Sequence, residues 1–105
     1  NSIKYLSGFS SDDILLSSLA TGSIGDAFSE LNQFDDALDY YVKASKSNNN
    51  YSSPMYLFKA GTIAMRLNKF KRAEEYFSII KQDYPNSIEA KNIDAYISKS
   101  VASNQ

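Results

Sequence analysis

The chain has 105 residues, 43% of them hydrophobic, with 8 Tyr and 6 Phe but no Cys, His or Trp. The missing Cys and His exclude disulfides, thiolate metal sites, the commonest general base and the commonest transition-metal ligand. A net charge of −1 gives no electrostatic case for nucleic acid, and the length fits one domain or part of one repeat array. Only four Gly and two Pro argue against an all-β chain rich in tight turns. The charge is uneven. Residues 1–50 hold seven acids against three bases, and residues 51–105 hold five acids against eight bases. This gives an acidic end and a basic end, either as solvated helix faces or as partner-selecting surfaces.

In chain order, residues 1–10 are short and apolar (Ile3, Tyr5, Leu6, Phe9) and read as the tail of a helix from an upstream repeat. Ile14, Leu15, Leu19, Ile24, Ala27, Phe28 and Leu31 then recur at helical spacing, with Asp12 or Asp13 as the expected cap. Asn32-Gln33 predicts a tight turn, since Asn tolerates a left-handed backbone. Phe34, Ala37, Leu38, Tyr41 and Val42 mark the next helix, with Asp35 and Asp36 in its first turn, where the helix dipole favours them. A polar loop follows over 45–52. Ser53 is the expected cap and Pro54 the first residue of a third helix. Asn68-Lys69 is a second turn, and a fourth helix is expected from Phe70 to Gln82. Asn86-Ser87-Ile88-Glu89 fits a capping box before a last helix striped by Ile88, Ile93, Ile97 and Val101.

Two stretches align without gaps at an offset of 36 residues, Gly22 to Ala44 and Phe58 to Ile80. Gly25 matches Gly61, Leu31-Asn32 matches Leu67-Asn68, Phe34 matches Phe70, Ala37 matches Ala73, and Tyr41 matches Phe77. Each unit reads as two helices joined by a short turn. The glycines are expected where the two helices of a hairpin cross, with Ala37 and Ala73 facing them. Phe28, Tyr41 and Phe77 are expected to fill the space between layers.

These residues resemble the tetratricopeptide repeat, a 34-residue helix–turn–helix unit. The first unit offers Thr21, Ile24, Gly25, Phe28, Ala37, Tyr41, Ala44 and Asn49 at the family's positions. The second offers Leu57, Ala60, Gly61, Ala64, Ala73, Phe77, Ile80 and Pro85. Thr21, Ala64 and Ile80 depart from the pattern, and two extra residues lengthen the loop between units. The run Asp83-Tyr84-Pro85-Asn86-Ser87, with Ala90, is similar to junctions in bacterial cell-envelope members of the family. That likeness implies a cell-envelope or periplasmic setting, with the cytoplasm left open.

The resemblance implies an all-α solenoid of antiparallel hairpins in a single domain over 1–105. Its parts are a partial helix at 1–10, repeats at 12–51 and 53–85, and a C-terminal capping helix at 86–102. It also implies a non-catalytic scaffold without cofactor or metal that holds a protein or peptide on a concave face. Self-association is a further expectation. Neither nucleic acid nor direct membrane insertion is expected. By the family's register the groove positions are Asp26, Glu30, Met55, Phe58, Lys59, Thr62, Met65, Arg66 and Tyr96, joined by Leu19, Gly22, Ser23, Ser29, Asn92 and Lys99. Phe58, Met55 and Met65 would form an apolar anchor site, with Lys59 and Arg66 orienting an acidic segment. The same apolar residues also fit a second reading, as core covered by neighbouring helices. Asp26 and Ser23 stand where the carboxylate-clamp members carry Lys and Asn, which argues against that mode.

Lys69, Lys71, Arg72 and Arg66 read as a basic knot at the second turn, and Glu74-Glu75 as an acidic pair near a helix start. No phosphate loop, zinc spacing or calcium loop is present, and no Ser or Tyr has an obvious activating base. Two alternatives to the scaffold remain at this point, a structural spacer or oligomerisation segment of a larger envelope protein, and an accessory domain attached to an enzyme.

Overall fold

The structure, a computed structural model, describes residues 11–104. The partial helix expected at 1–10 lies outside the described residues. Among the described residues there are five α-helices and one 3-10 helix, and no strand. They are α1 (Ser11–Glu30), α2 (Phe34–Ser45), α3 (Ser52–Arg66), α4 (Phe70–Asp83), the 3-10 turn (Ile88–Asn92) and α5 (Ile93–Ser103). Each helix packs on the next in the chain, and α1 also meets α3. That nearest-neighbour pattern makes an all-α repeat stack, in which each layer is stabilised mainly by its neighbours.

The two hairpin turns share one construction. Asn32 and Asn68 are left-handed, with φ of 61° and 62°. The N–H of Gln33 donates to the Phe28 carbonyl at 2.9 Å and that of Asn32 to the Ser29 carbonyl at 3.0 Å. In the second turn Lys69 donates to Ala64 at 2.8 Å and Asn68 to Met65 at 3.1 Å. Both are Schellman closures, which satisfy the last free carbonyls of the preceding helix and reverse the chain. The expectation of left-handed Asn at these turns is met.

The core runs along the stack through Ala37, Leu38, Tyr41 and Ala44 of α2, Tyr56, Leu57, Ala60, Ile63 and Ala64 of α3, Ala73, Phe77 and Ile80 of α4, and Ile93 of α5. A Cβ on Gly25 would stand 2.9 Å from the Tyr41 ring, and one on Gly61 would run into the Phe77 ring. The glycines therefore admit an aromatic from the second helix of their own hairpin, rather than only an alanine. Phe28 is half-buried and stacks on Tyr40, with ring centroids 5.5 Å apart.

Several local expectations are corrected. α1 already includes Asp12 and Asp13, so they sit in its first turn rather than at its cap. Its helical span ends at Glu30, and α4 continues to Asp83. α3 begins at Ser52, so Pro54 is its third residue and Ser53 lies inside it. The capping group is Asn49, whose Oδ1 accepts from the N–H groups of Tyr51 (2.8 Å) and Ser52 (2.9 Å). Ser53 Oγ in return accepts from the Asn49 N–H at 3.0 Å. The capping box expected from Asn86 to Glu89 does not form: the cap position falls at Ser87, whose Oγ caps no helix N–H and donates instead to the Tyr84 carbonyl at 2.8 Å, closing a turn around Pro85. Ile88 is consequently 79% exposed. The inner stripe of the last helix runs through Ile93, Ile97 and the buried Ser100, with Val101 exposed. Glu74 and Glu75 fall in the second turn of α4, beyond the reach of its N-terminal dipole.

Candidate partner-binding face

The first helices of the hairpins, α1 and α3, together with α5, line one side of the stack. At its α3–α5 end lies a cleft of about 560 Å³. Thr62, Met65 and Arg66 of α3 meet Tyr96, Lys99 and Ser103 of α5 around it, with Ser29, Phe34 and Phe70 completing the wall. α5 is held there by aromatic packing. Tyr96 sits edge-on to Phe58 at 4.9 Å and tilted to Phe77 at 5.5 Å. Ser100 is buried and donates to the Tyr96 carbonyl at 2.9 Å, with Met65 Sδ 3.4 Å away.

The expected groove residues separate into three groups. Thr62, Met65, Arg66 and Tyr96 come together at the cleft. Asp26 and Lys59 pair with each other, Nζ to Oδ1 at 3.0 Å, across the α1–α3 contact. Tyr41 also donates to Asp26 at 2.5 Å, and Lys59 lies over the Tyr41 and Tyr56 rings at 5.6 and 5.7 Å. Opposite charges are thus cancelled inside this stretch of the face. The third group is packing: Met55 and Phe58 are half-buried against the core. Glu30 is exposed and stands outside the cleft wall. Leu19 also packs on the core, and Gly22 is buried because the Tyr56 ring occupies the place its side chain would take.

Burial is the first reason that the Tyr41 and Tyr56 hydroxyls titrate above the ordinary tyrosine range. For Tyr41 the hydrogen bond to Asp26 adds to the shift, and for Tyr56 the nearby Asp26 charge does. The basic knot expected at the second turn is split. Arg72 turns back along α4 and donates from Nε to the Tyr76 hydroxyl at 3.0 Å. Arg66 instead reaches to the first hairpin, its guanidinium 4.6 Å from the Phe34 ring centroid. Arg66 and Lys99 therefore leave two cations at a cleft with aromatic and thioether walls. Phe34, Phe70 and Ser103 were missing from the expected groove. Phe34 and Phe70 are repeat-equivalent aromatics at the starts of second helices, and that recurrence was the available signal.

Among the described residues no group of His, Cys, Asp and Glu could hold a metal ion, and no helix is long and apolar enough to cross a membrane. A family model for the tetratricopeptide repeat matches residues 56–87. The chain carries a tetratricopeptide repeat. The match covers most of α3, all of α4 and the turn to Ser87, so Thr62, Met65 and Arg66 lie on the first helix of that tetratricopeptide repeat. Tetratricopeptide repeats are in general protein-interaction modules without catalysis. No curated protein and no solved structure matches the chain.

Proposed function

We propose that this chain is a non-catalytic scaffold that holds an extended partner segment along the side lined by α1, α3 and α5. The cleft between α3 and α5 receives an apolar side chain against Met65, Phe70 and Tyr96. Arg66 and Lys99 engage a carboxylate on the same segment. The observation that supports this reading is the coincidence of an apolar wall with two cations at one cleft, while Asp26 and Lys59 on the same side of the stack satisfy each other. A cation held over an aromatic ring is already oriented and loses less freedom on meeting a carboxylate.

The test is a selection from a random-peptide display library on the immobilised domain, repeated on Arg66→Glu and Thr62→Trp. Thr62 and Arg66 are exposed, so both variants should melt as the parent does. Enriched peptides should share a hydrophobic residue near an acidic one, and should lose binding to both variants. Enrichment of basic peptides, or peptides indifferent to both substitutions, contradicts the reading.

A further inference from the structure

Arg66 is exposed in the last turn of α3, and its guanidinium carbon lies 4.6 Å from the centre of the Phe34 ring. Among the described residues its N–H groups make no hydrogen bond and no ion pair. One face of the guanidinium is therefore taken by an aromatic ring, while the edge that carries the donors is unspent. Phe34 is itself held in place. It is the first residue of α2, directly after the turn with the left-handed Asn32, and it packs partly buried against the core.

Two comparisons within the chain set this arrangement apart. Thirty-six residues earlier, the exposed Glu30 stands at the place of Arg66, so the repeat does not demand a base there. Arg72 also lies over a ring, that of Tyr76 at 5.6 Å, but there the phenol oxygen accepts from its Nε at 3.0 Å. Those donors are turned back onto the helix that carries them. Phe34 has no oxygen, so it orients Arg66 without using a donor.

We propose that Phe34 is a positioning residue that sets the acid specificity of the cleft. By holding the face of Arg66, it presents the guanidinium edge to the planar carboxylate of an Asp or Glu side chain on the partner segment. This rests on the cleft being the partner site. A guanidinium edge gives a carboxylate two parallel N–H bonds, and an amide of the same size offers only one oxygen to accept them. An arginine free to sample its rotamers would lose that freedom on binding, which weakens affinity by about two- to tenfold. With Phe34 beneath it, much of that freedom is already lost in the unbound chain. The ring comes from the first hairpin and the arginine from the second, so acid specificity depends on how the two hairpins pack.

The test is calorimetric titration of the chain with two N-acetylated, C-amidated peptides. One is an acidic peptide enriched on the parent chain in the display selection, and the other is its twin with the acid changed to the matching amide. The ratio of the two affinities is read on the parent, Phe34→Leu, Phe34→Met, Phe34→Tyr and Arg66→Gln, each checked for an unchanged helical circular dichroism spectrum. The parent should prefer the acid. Phe34→Leu and Phe34→Met should each lower that preference by about two- to tenfold, through weaker binding of the acidic peptide, and Phe34→Tyr should keep it. Arg66→Gln should abolish it, and Phe34→Leu added to Arg66→Gln should change the ratio no further. In the proton spectrum of the parent, the Arg66 δ protons should be shifted upfield by the Phe34 ring, and unshifted protons overturn the proposal without any variant. A ratio unchanged in Phe34→Leu and Phe34→Met overturns it and leaves the cleft reading standing. An equal loss of both peptides does the same, since Phe34 would then be wall alone. A parent that enriches no acidic peptide, or a ratio untouched by Arg66→Gln, overturns the cleft reading and this inference with it.

Discussion

At the scale of single residues, the stack depends on positions where only one side-chain shape fits. Asn32 and Asn68 accept a left-handed backbone that costs most other residues about 1–2 kcal/mol. Asn68→Val should lower stability by about that amount in urea titration, and Asn68→Gly should leave it nearly unchanged. Gly61 is constrained by packing instead, because Phe77, fully buried, fills its missing side chain. Gly61→Ala should destabilise by roughly 1–2 kcal/mol, since overpacking outweighs the helix propensity that alanine restores. Both features were legible in the sequence, as each recurs at one offset and serves a purely local geometry. The partner of each glycine was less so, because an aromatic four residues past the facing alanine meets it through the direction of its side chain. Tyr41 adds a pH dependence. Its hydroxyl titrates higher in the folded chain than in the unfolded one, by burial first and then by its bond to Asp26. The resulting stability is complete below the unfolded value near 10, where both states keep the proton. Above it the unfolded state loses the proton first, so stability falls as pH rises. Tyr41→Phe should flatten this alkaline decline, measured as melting temperature against pH.

At the scale of elements, the informative helix is α5. Its register decides which residues of α3 are wall and which are core, and it has no repeat mate from which to read that register. The sequence suggested a stripe beginning at Ile88. The turn closed by Ser87 and Tyr84 shifts the first residues into a 3-10 segment, with Ile93 and Ile97 facing inward and the partly exposed Tyr96 lying against Phe58 and Phe77. Phe58 is covered by Tyr96 as a result, and it packs rather than offering a free anchor. Phe58→Ser should therefore lower the melting temperature clearly, through the loss of about 2–3 kcal/mol of packing, reduced from full core values because Phe58 is only half-buried. The buried hydroxyls fit the same picture. Ser18 donates to the Ala44 carbonyl at 2.8 Å and Ser100 to that of Tyr96, and among the described residues no buried side-chain polar atom lacks a partner. Ser18 ties α1 to α2 and Ser100 satisfies a carbonyl within α5, so both are spent inside the fold.

At the scale of the whole molecule, the chain combines an all-α stack with a tetratricopeptide repeat and one cleft on the side of the first helices. The acidic and basic halves seen in the sequence meet at Asp26 and Lys59, an exposed pair worth only about 0–1 kcal/mol. Charge asymmetry along the chain is thus cancelled locally at the α1–α3 contact, while Arg66 and Lys99 gather at the α3–α5 end. Linear sequence could not reveal this, because it depends on residues 33 apart in the chain. The central claim is that the α3–α5 cleft, and not the outer side of α4, holds the partner segment. The most direct measurement is an amide chemical-shift titration of the labelled domain with a peptide selected from the display library. The account predicts saturable shifts concentrated at Thr62, Arg66, Tyr96 and Lys99, with Lys71, Glu75 and Ile79 on the far side of α4 unmoved. Shifts centred on those α4 residues would contradict it.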